Sequence, residues 1–582
     1  MREWVEKCKP LHHRSPRQHL PKLRTVPAPG RKAGRWWSKV SNRHSASGES
    51  MQAKKNKRTG EVPIITARQA VALISDGDCV YFGGSAGVAI PELIIDALRD
   101  LHSEQGSPKN LMLVGTVAIG DWATTGFNKL AAPGLVRRVV ASGLNNCPAL
   151  GRRALANEIE AYTLPQGVLA QLTRENAAGR PGVITKVGLR TFADPRIGGC
   201  KQSECSKEDM VAVVDIEGDE HLLYKTFPIQ VAILRGSIAD EKGNISLEDE
   251  AYVGESMSIA AATRRSGGIV IVQVKRVAAS NTLNQREVRI PGVLVDYLVV
   301  DPSQRQTYAT EYSPAYAGKM RVPDGKIASL PFDVRKVIAR RAALELTPGA
   351  TVNIGYGISN GIAVVAAEEG IYRSVTLTAE QGVIGGIPAP GQDAGAGTNY
   401  DMIAPQPDQF DFYDGGGLDV AFLSSAEVDR HGNVNVSRFG DKIIGPGGFI
   451  NISQGARKVV FSGTLTASGL NAIPDNGTLV IATEGTVKKW VKDVYQITFS
   501  GAFATERQQE VVFITERAVF KLTPNGVMLT EVAPGISVEK QVLPNIEFDV
   551  LVSPDLKLMD TRIFTNEPMK LAVQFHDNPG RA

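Results

Sequence analysis

Ser85 and Glu380 are the two residues whose type and surroundings could support catalysis. Ser85 lies in GGSAG at 83–87, which matches the pattern G-x-S-x-G between a predicted strand and a predicted helix. A nucleophilic serine of hydrolases has that setting, and His221, His431 and His576 follow as possible bases. A serine hydrolase is therefore one hypothesis. The other is a glycine-rich turn that brings backbone N–H groups close to a ligand.

Glu380 is a carboxylate that packing explains poorly. It follows the strand-like run at 374–379 and enters the glycine-rich segment QGVIGGIP at 381–388. Acidic side chains are seldom buried without a partner, and ligands of parallel sheets collect at the carboxyl ends of strands. A functional carboxylate is one interpretation, and a solvated strand end is the other.

A metal site is not predicted. Cys200 and Cys205 form a close pair, but a structural zinc site needs four ligands and no second pair follows. The eight His residues are dispersed. We therefore interpret the two cysteines as surface or loop thiols.

An internal repeat indicates the elements that position these residues. AILRGSIADEKGNIS at 232–246 and AFLSSAEVDRHGNVN at 421–435 share Ala-x-Leu and a later Asp-x-x-Gly-Asn. GDCVYFG at 77–83 likewise resembles GATVNIG at 349–355. In the repeated turn, Asp240 and Asp429 are predicted to make hydrogen bonds, with Gly243 and Gly432 at positive φ. His431 is then an exposed turn residue.

The repeat predicts two homologous halves at 61–325 and 330–582. Each begins as a strand, a glycine-rich turn and a helix, with apolar residues at 90, 93, 94, 97, 98 and 101 marking the first helix face. Alternating strands and helices predict α/β domains with mainly parallel sheets. Ser85 falls opposite Gly357, which favours a turn of small residues over a hydroxyl nucleophile. The strand at 111–115 has no acid comparable to Glu380.

Charge separates a tail from the rest of the 582 residues. Residues 1–60 hold 16 of the 65 Lys and Arg but only three of the 61 Asp and Glu, so the remainder has a net charge of −9. The tail is interpreted as a disordered extension, with Met51 as a second candidate start. A transit peptide and a nucleic-acid contact are the alternatives. Folded pattern begins near Ile64.

Other classes are excluded by composition. No apolar run reaches the roughly 18 residues that span a membrane, and the start lacks the apolar core of a secretory signal. Five scattered Cys make no disulfide framework, which favours a cytoplasmic location. Because the basic charge belongs to the tail, nucleic acid is not predicted as a partner.

Six segments resemble the family I CoA-transferases. They are LPQGVLA at 164–170, AAGRPG at 177–182, AEQG at 379–382, GPGG at 445–448, ITERAVF at 514–520 and EVAPGI at 531–536. The likeness covers almost all of the chain after the tail and is greatest to the long single-chain propionate or acetate enzymes. Gln381 replaces the Asn that is common in the wider family, and it fits that branch.

The resemblance implies ping-pong transfer of CoA between short-chain acids such as propionate, acetate or lactate. Glu380 attacks the acyl-CoA, and a mixed anhydride and then a glutamyl-CoA thioester follow. Gly447, Gly448 and Gln166 are implied in oxyanion or substrate binding, and Gly355 and Gly357 in CoA binding.

The same resemblance implies that CoA is a substrate and that the enzyme needs no cofactor. It also implies a homo-oligomer, either a dimer or a tetramer, with no membrane partner. The alternatives are a serine-type acyl-CoA hydrolase that uses Ser85 and a non-catalytic ligand-binding homologue.

Overall fold

Two twisted, mainly parallel β-sheets organise the chain. The computed structural model describes residues 60–323 and 329–573, all within one compact unit. The predicted α/β class with mainly parallel sheets is confirmed. The expectations for the basic tail and for His576 lie outside the described residues.

The helices flank the sheets and form where apolar residues recur every three or four positions. In chain order they are α1 Ala67–Val71, α2 Glu92–Gln105, α3 Pro148–Leu155, α4 Gln166–Ala177, α5 Ser256–Arg265, α6 Val334–Ala343, α7 Asn360–Glu368, α8 Gln406–Asp414, α9 Phe449–Gly455 and α10 Gly501–Glu506.

The predicted face of α2 is wrong at one position. Leu93 is 38% exposed, whereas Ile94, Ile95, Leu98 and Leu101 are buried. Side chains three and four residues apart share a helix face, and here that face is centred on Ile94 and Leu98. Leu93 therefore lies on the solvent side of the helix.

The first sheet has seven parallel strands in the order β12-β10-β8-β1-β2-β3-β4, with β9 and β11 attached antiparallel beside β8. A small antiparallel sheet of β5, β7 and β6 lies apart from it. The strands are β1 Cys79–Phe82, β2 Leu111–Val114, β3 Val136–Ala141, β4 Glu160–Thr163, β5 Gly182–Thr185, β6 Val211–Ile216, β7 Asp219–Lys225, β8 Val231–Asp240, β9 Ile245–Ser246, β10 Ile269–Ala278, β11 Val288–Ile290 and β12 Tyr297–Val300.

The second sheet has a parallel centre in the order β14-β13-β19-β24-β29, flanked by β15 and β18 on one side and by β30, β31 and β32 on the other. Its strands and the short hairpins around it are β13 Thr351–Ile354, β14 Thr376–Thr378, β15 Val383–Ile384, β16 Ile387–Pro388, β17 Gly397–Thr398, β18 Met402–Ile403, β19 Val420–Ser424, β20 Glu427–Val428, β21 Val434–Asn435, β22 Arg438–Phe439, β23 Lys442–Ile443, β24 Lys458–Ser462, β25 Thr466–Ala467, β26 Asn471–Asp475, β27 Thr478–Thr483, β28 Val487–Lys488, β29 Glu510–Ile514, β30 Ala518–Thr523, β31 Gly526–Val532 and β32 Leu551–Leu558.

Both sheets are covered on both faces. In the first sheet Val80 and Phe82 pack into one buried cluster, while Tyr81 packs into another on the opposite face. Strands β19 and β24 divide their side chains between two clusters in the same way. This burial explains why the central strands are apolar throughout rather than alternating.

The repeated Asp-x-x-Gly-Asn turn has the same hydrogen bonds in both copies. Asp240 accepts from the Asn244 backbone N–H and side-chain amide, each at 2.9 Å. Asp429 accepts from the backbone N–H of Asn433 at 3.0 Å and from its amide at 2.9 Å. The turn glycines have φ of +80° and +71°, so the turn prediction is confirmed. His431 is exposed, as predicted.

The strand orders match as well. The series β2-β1-β8-β10 in the first sheet corresponds to β14-β13-β19-β24 in the second. After the first strand of each series, Gly83 donates to the Ile233 carbonyl at 2.9 Å and Gly355 to the Phe422 carbonyl at 2.8 Å. β14, which Glu380 follows by two residues, therefore corresponds to β2, where the equivalent position is Thr116.

Candidate active site

Glu380 occupies a tight turn directly after β14. The Ala379 carbonyl accepts from the Gly382 N–H at 3.0 Å, and the Ala379 N–H donates to the Val383 carbonyl at 2.9 Å. Gly382 has φ +106°, and a Cβ there would lie 2.1 Å from the Ala404 carbonyl oxygen. The turn therefore requires glycine after the Glu-Gln pair, and it fixes the direction in which Glu380 leaves the sheet.

The Glu380 side chain faces a cavity of about 330 Å³ at the carboxyl edge of the second sheet. Burial raises the pKa of Glu380 to about 7, although Gln381, the Gly448 N–H and Gln166 each lower it. Gln381 Nε2 donates to Oε1 at 3.2 Å. A carboxylate at a solvated strand end would keep a pKa close to that of an ordinary glutamate. A carboxylate in a cleft whose pKa is raised by burial is typical of a functional site.

Gly448 is a glycine because of this carboxylate. A Cβ at Gly448 would lie 2.1 Å from Glu380 Oε2, whereas the backbone has an ordinary φ of −79°. The missing side chain lets the Gly448 N–H approach the carboxylate and lower its pKa. Backbone N–H groups at such a position can bind an oxyanion that develops on the carboxyl carbon.

The loop that carries Gly448 is held by the first sheet. The Gly447 N–H donates to the Ser142 carbonyl and the Leu144 N–H to the Ile444 carbonyl, each at 2.9 Å. A Cβ at Gly445 would lie 2.3 Å from the Gly143 Cα. The chain after β3 and the glycine loop thus pass each other too closely for side chains, and the site depends on both sheets.

Gln166 is the first residue of α4 and lies opposite Glu380. Its backbone N–H donates to the Gly447 carbonyl at 2.9 Å, and the next N–H, of Gly167, donates to Asn451 Oδ1 at 3.1 Å. Neither atom of the buried Gln166 amide makes a hydrogen bond to the described protein. The amide lies outside hydrogen-bond geometry with Glu380 but close enough to lower its pKa. It is available to a substrate carbonyl or carboxylate.

The two glycines predicted to contact CoA differ in position. Gly355 lines the cavity, and a Cβ there would lie 2.9 Å from the Leu423 side chain. Gly357, with φ +100°, lies beyond the lining and next to Ser424 Oγ. The structure therefore brings Glu380, Gln166, Gly447, Gly448 and Gly355 to one cavity and leaves Gly357 outside it.

Several cavity residues were missed by the sequence reasoning. Asn353, a polar residue within the apolar strand β13, lines the cavity, and its Oδ1 has no hydrogen-bond partner in the described part of the chain. Its type in a buried strand was a usable signal. The Ser142 Oγ also lines the cavity without a partner among these residues. Trp122 and Tyr356 also line the cavity, and their rings are stacked with centroids 6.4 Å apart. Their pairing joins two sheets, so local sequence does not reveal it.

One charged side chain lies among the described residues that line the cavity. Among the described residues that line it, Glu380 is the only acid and there is no Lys, Arg or His. A second carboxyl, Glu255, has a pKa raised to about 7 by burial, but it does not line the cavity. Its Oε2 accepts from the Tyr252 hydroxyl at 3.0 Å. Glu380 is thus the carboxylate that a ligand in the cavity meets.

Ser85 does not fit the hydrolase hypothesis. It is fully buried, it does not line the cavity, and its Oγ has no hydrogen-bond partner within the described residues. His221 makes its own contact with the Asp219 carbonyl, and His431 is exposed. The turn at 83–87 nevertheless reaches the cavity through Ala86, which agrees with a turn of small residues close to a ligand rather than with a serine nucleophile.

Cys200 and Cys205 are loop thiols, as predicted, since both lie in turns outside the helices and strands, but a surface position is wrong for Cys200. Cys200 is fully buried in the first core, while Cys205 is half-buried. No group of three or more His, Cys, Asp or Glu within 60–323 and 329–573 is arranged to hold a metal ion. No helix in the described ranges is long and apolar enough to cross a membrane.

The fold and the site define an α/β enzyme that presents one carboxylate to a ligand between two parallel sheets. The family model for coenzyme A transferase matches residues 64–301. A caffeate CoA-transferase of Acetobacterium woodii is 44% identical over 86% of this chain and 97% of its own length. The acetate CoA-transferase YdiF of Escherichia coli K12 is 42% identical over 88% of this chain and 96% of its own length.

Solved structures agree with these relatives. The acyl-CoA transferase YdiF of Escherichia coli O157:H7 superposes with a TM-score of 0.84 at 41% identity, covering 88% of this chain and 98% of that one. It has been solved as the apoenzyme and as a thioester complex with CoA. The chain belongs to the coenzyme A transferase family. It is a CoA-transferase, and CoA is its substrate.

Proposed function

We propose that Glu380 is the nucleophile of this CoA-transferase and that it carries CoA as a glutamyl thioester. The observation that supports this role most directly is the cavity itself, in which Glu380 is the only charged residue of the described lining. A pKa of about 7 leaves a substantial fraction ionised at neutral pH, and the partly desolvated carboxylate is poorly neutralised. The solved thioester complex of the relative YdiF supports the same intermediate.

The transfer proceeds in four balanced steps. The Glu380 carboxylate attacks the acyl-CoA carbonyl, so that CoA leaves as a thiolate and a mixed anhydride forms. The thiolate attacks the glutamyl carbonyl, and the first acid leaves as its carboxylate. The incoming carboxylate then attacks the glutamyl-CoA thioester and forms a second anhydride with release of thiolate. The thiolate finally attacks the new acyl carbonyl and regenerates the Glu380 carboxylate. The covalent intermediates divide one difficult displacement into several easier ones.

Gly448 and Gln166 are the proposed oxyanion and substrate-binding groups. The Gly448 N–H lowers the pKa of Glu380, so it lies near the carboxyl group where a tetrahedral oxyanion develops when thiolate attacks. Removal of one such donor costs about 3–4 kcal/mol in well-studied enzymes. Gly447 supports both residues, because its carbonyl accepts from the Gln166 N–H. Gly355 forms part of the wall along which CoA lies.

The proposed substrates are monocarboxylic acids such as propionate, acetate or lactate. A second carboxylate would find no cation among the described lining residues, and burial of an unpaired charge is costly. The named relatives act on acetate and on caffeate, so the proposed class includes monocarboxylic acids of different size. A rate profile over acetate, propionate, butyrate, lactate and caffeate, with succinate as the negative control, tests this. Efficient transfer to succinate would contradict it.

The central experiment is to trap the thioester. Incubation with acyl-CoA and no acceptor acid should increase the intact mass by that of CoA less water, and borohydride should reduce Glu380 to an alcohol. The variant Glu380→Gln should lose both the adduct and transfer, whereas Ser85→Ala should keep both. An adduct that persists in Glu380→Gln would refute the assignment.

We also propose the two halves 61–325 and 330–582 as separate folding domains. The matching strand orders and the repeated Asp turn support this division. Cleavage at a protease site inserted within 324–328 should leave two fragments that copurify and retain transfer. Dissociation into insoluble fragments would contradict the boundary.

A homo-oligomer in the cytoplasm completes the proposal. The edge strand β32 exposes Leu551, Val552 and Leu558, which supports burial against another copy. Cys79, Cys147, Cys200 and Cys205 are free thiols, which fits a reducing compartment. Light scattering on the purified protein should give the mass of a dimer or tetramer, and a monomer would overturn the oligomer.

A further inference from the structure

Lys489 lies at the same edge of the second sheet as Glu380. It follows β28, and its backbone carbonyl accepts from the Val428 N–H at 2.9 Å. Its ammonium lies above Gly463, directly after β24, where a Cβ would be 2.6 Å from Nζ. Ser425, the chain neighbour of the cavity residue Ser424, lies against the same glycine. The glycine leaves the room that the ammonium occupies.

The ammonium of Lys489 is not neutralised by the described protein. No hydrogen bond or ion pair joins it to a described residue, although Glu516 is near enough to act on it through charge. Both Glu516 oxygens are already engaged, by Arg517 Nε at 2.5 Å and by the Leu465 N–H at 2.9 Å. Burial lowers the pKa of Lys489 to about 8. Lys489 is half-buried, so its ammonium is only partly solvated, and an anionic ligand would stabilise such a cation.

The distance from Glu380 to Lys489 can be counted in strands. Glu380 follows β14, Gly355 follows β13, Ser424 ends β19 and Gly463 follows β24, and these strands are neighbours in that order. Three strand spacings of about 4.8 Å place Gly463 about 14 Å from Glu380 along the edge. The arm of CoA between its sulfur and its first phosphate has about 13 bonds, which span about 15 Å when extended like a peptide backbone.

We propose that Lys489 binds the diphosphate of CoA while the sulfur of CoA lies at Glu380. This inference rests on the proposed role of Glu380. The arm runs along the carboxyl ends of β13 and β19, past Gly355 and Ser424, and its first phosphate meets the ammonium above Gly463. An ammonium binds phosphate as a point charge without the planar geometry that a guanidinium requires.

The experiment compares thioesters that differ only in the CoA portion. Lys489→Met should lower kcat/KM for acyl-CoA by about 10- to 100-fold, the range for loss of a hydrogen bond to a charged group. The same variant should be unchanged with the S-acyl-pantetheine, which has no phosphate, and this activity shows that the variant is folded. Lys489→Arg should retain most activity, and Lys488→Met, an exposed neighbour, should match the parent enzyme.

Three outcomes overturn the proposal. An equal loss with both thioesters would show that Lys489 supports the fold. No loss with either would show that it does not contact CoA. If Lys489→Met kept the parent kcat/KM for the 3′-dephospho-CoA thioester, Lys489 would bind the 3′-phosphate rather than the diphosphate. In each case trapping at Glu380 is measured on the same variant, so failure of this inference is distinguishable from failure of the nucleophile assignment.

Discussion

Glu380 combines two properties that oppose each other in a folded protein. Burial makes its negative charge unfavourable, and the hydrogen bond that Gln381 donates to it is long, at 3.2 Å. A fully satisfied carboxylate would be more stable but less ready to attack a carbonyl. The residue is therefore kept partly unsatisfied, as expected where function is maintained at the expense of stability.

The first prediction concerns pH. Because burial raises the pKa of Glu380 to about 7 and only the ionised form attacks, kcat/KM should be constant above pH 7 and fall about tenfold per pH unit below it. An ordinary glutamate would remain active about two pH units lower. The measurement is initial rate against pH at low acyl-CoA concentration.

A matched variant checks the assignment of that inflection. Gln381 lowers the pKa of Glu380 through its hydrogen bond, so Gln381→Leu should move the inflection to higher pH. A rate that stays flat from pH 8 down to pH 5.5 in the parent enzyme would contradict the raised pKa.

The second prediction concerns stability. Replacement by Glu380→Gln removes a buried charge, so the free energy of unfolding at pH 8 should rise by up to about 3 kcal/mol, because a difference of one pKa unit between the folded and unfolded protein corresponds to about 1.36 kcal/mol. The raised pKa means that the parent enzyme loses stability relative to the variant as pH rises from about 4.5 to 7. Urea unfolding at pH 8 and pH 4.5 measures this. A difference that persists unchanged at pH 4.5 would contradict the charge explanation.

At the scale of elements, the site depends on short connections rather than on long helices. Backbone hydrogen bonds to Ser142 and Leu144 hold the loop at 445–448 and its preceding residue against the chain after β3. The turn after β14 holds Glu380 opposite it. A shift of either connection changes the distance between the carboxylate and the Gly448 N–H, although the sheets themselves stay intact.

The third prediction tests that close approach. Gly448→Ala should lower kcat/KM by about 100-fold or more, since its Cβ would force Glu380 aside and small misplacements in a site cost about that much. The free energy of unfolding should change by less than about 1 kcal/mol, because φ is ordinary and a side-chain end yields easily.

Gly151→Ala is the control for an added methyl group. Gly151 lies in α3, where the nearest atom to a Cβ is 4.0 Å away, so activity should be unchanged. Full activity of Gly448→Ala would show that the carboxylate does not need the glycine.

The turn residues show how far sequence reasoning reaches. Glu380 was identifiable because strand, acid and glycine are adjacent in the chain, and the Asp240 and Asp429 turns because the same short pattern occurs twice. Gly448 next to Glu380, Gln166 next to Gly447, and Lys489 above Gly463 join segments far apart in sequence. Residue types alone do not determine such contacts. The family resemblance therefore indicated Gly448 and Gln166, whereas no sequence signal indicated Lys489.

At the scale of the whole molecule, the fold includes Val62, which lies within the predicted half at 61–325. Val62 is buried, and its N–H donates to the Glu241 carbonyl at 2.8 Å. It also fills the space above Gly243 in the repeated Asp turn. Val62 thus lies close to the predicted start near Ile64, and its side chain packs against a turn distant in sequence, a contact that the local pattern does not reveal.

The fourth prediction follows from that contact. A chain that begins at Met51 should keep full transfer activity and the unfolding midpoint of the parent. A chain that begins at Ile64 should be less stable by about 1.5–3 kcal/mol, the contribution of a buried valine. Thermal unfolding of both chains measures this, and loss of activity on removal of residues 1–50 would show that the basic tail has a role in transfer.

The composition of the cavity wall also bears on the fate of the thioester before an acceptor arrives. Glu380 is the only acidic or basic side chain of the described wall, and in the proposed mechanism its carboxyl group is blocked while it is joined to CoA. Hydrolysis must then proceed through water that nothing activates, whereas an incoming carboxylate is already a nucleophile. Under the proposed mechanism the acceptor carboxylate therefore outcompetes water, and the free energy of the donor thioester is retained in the product thioester.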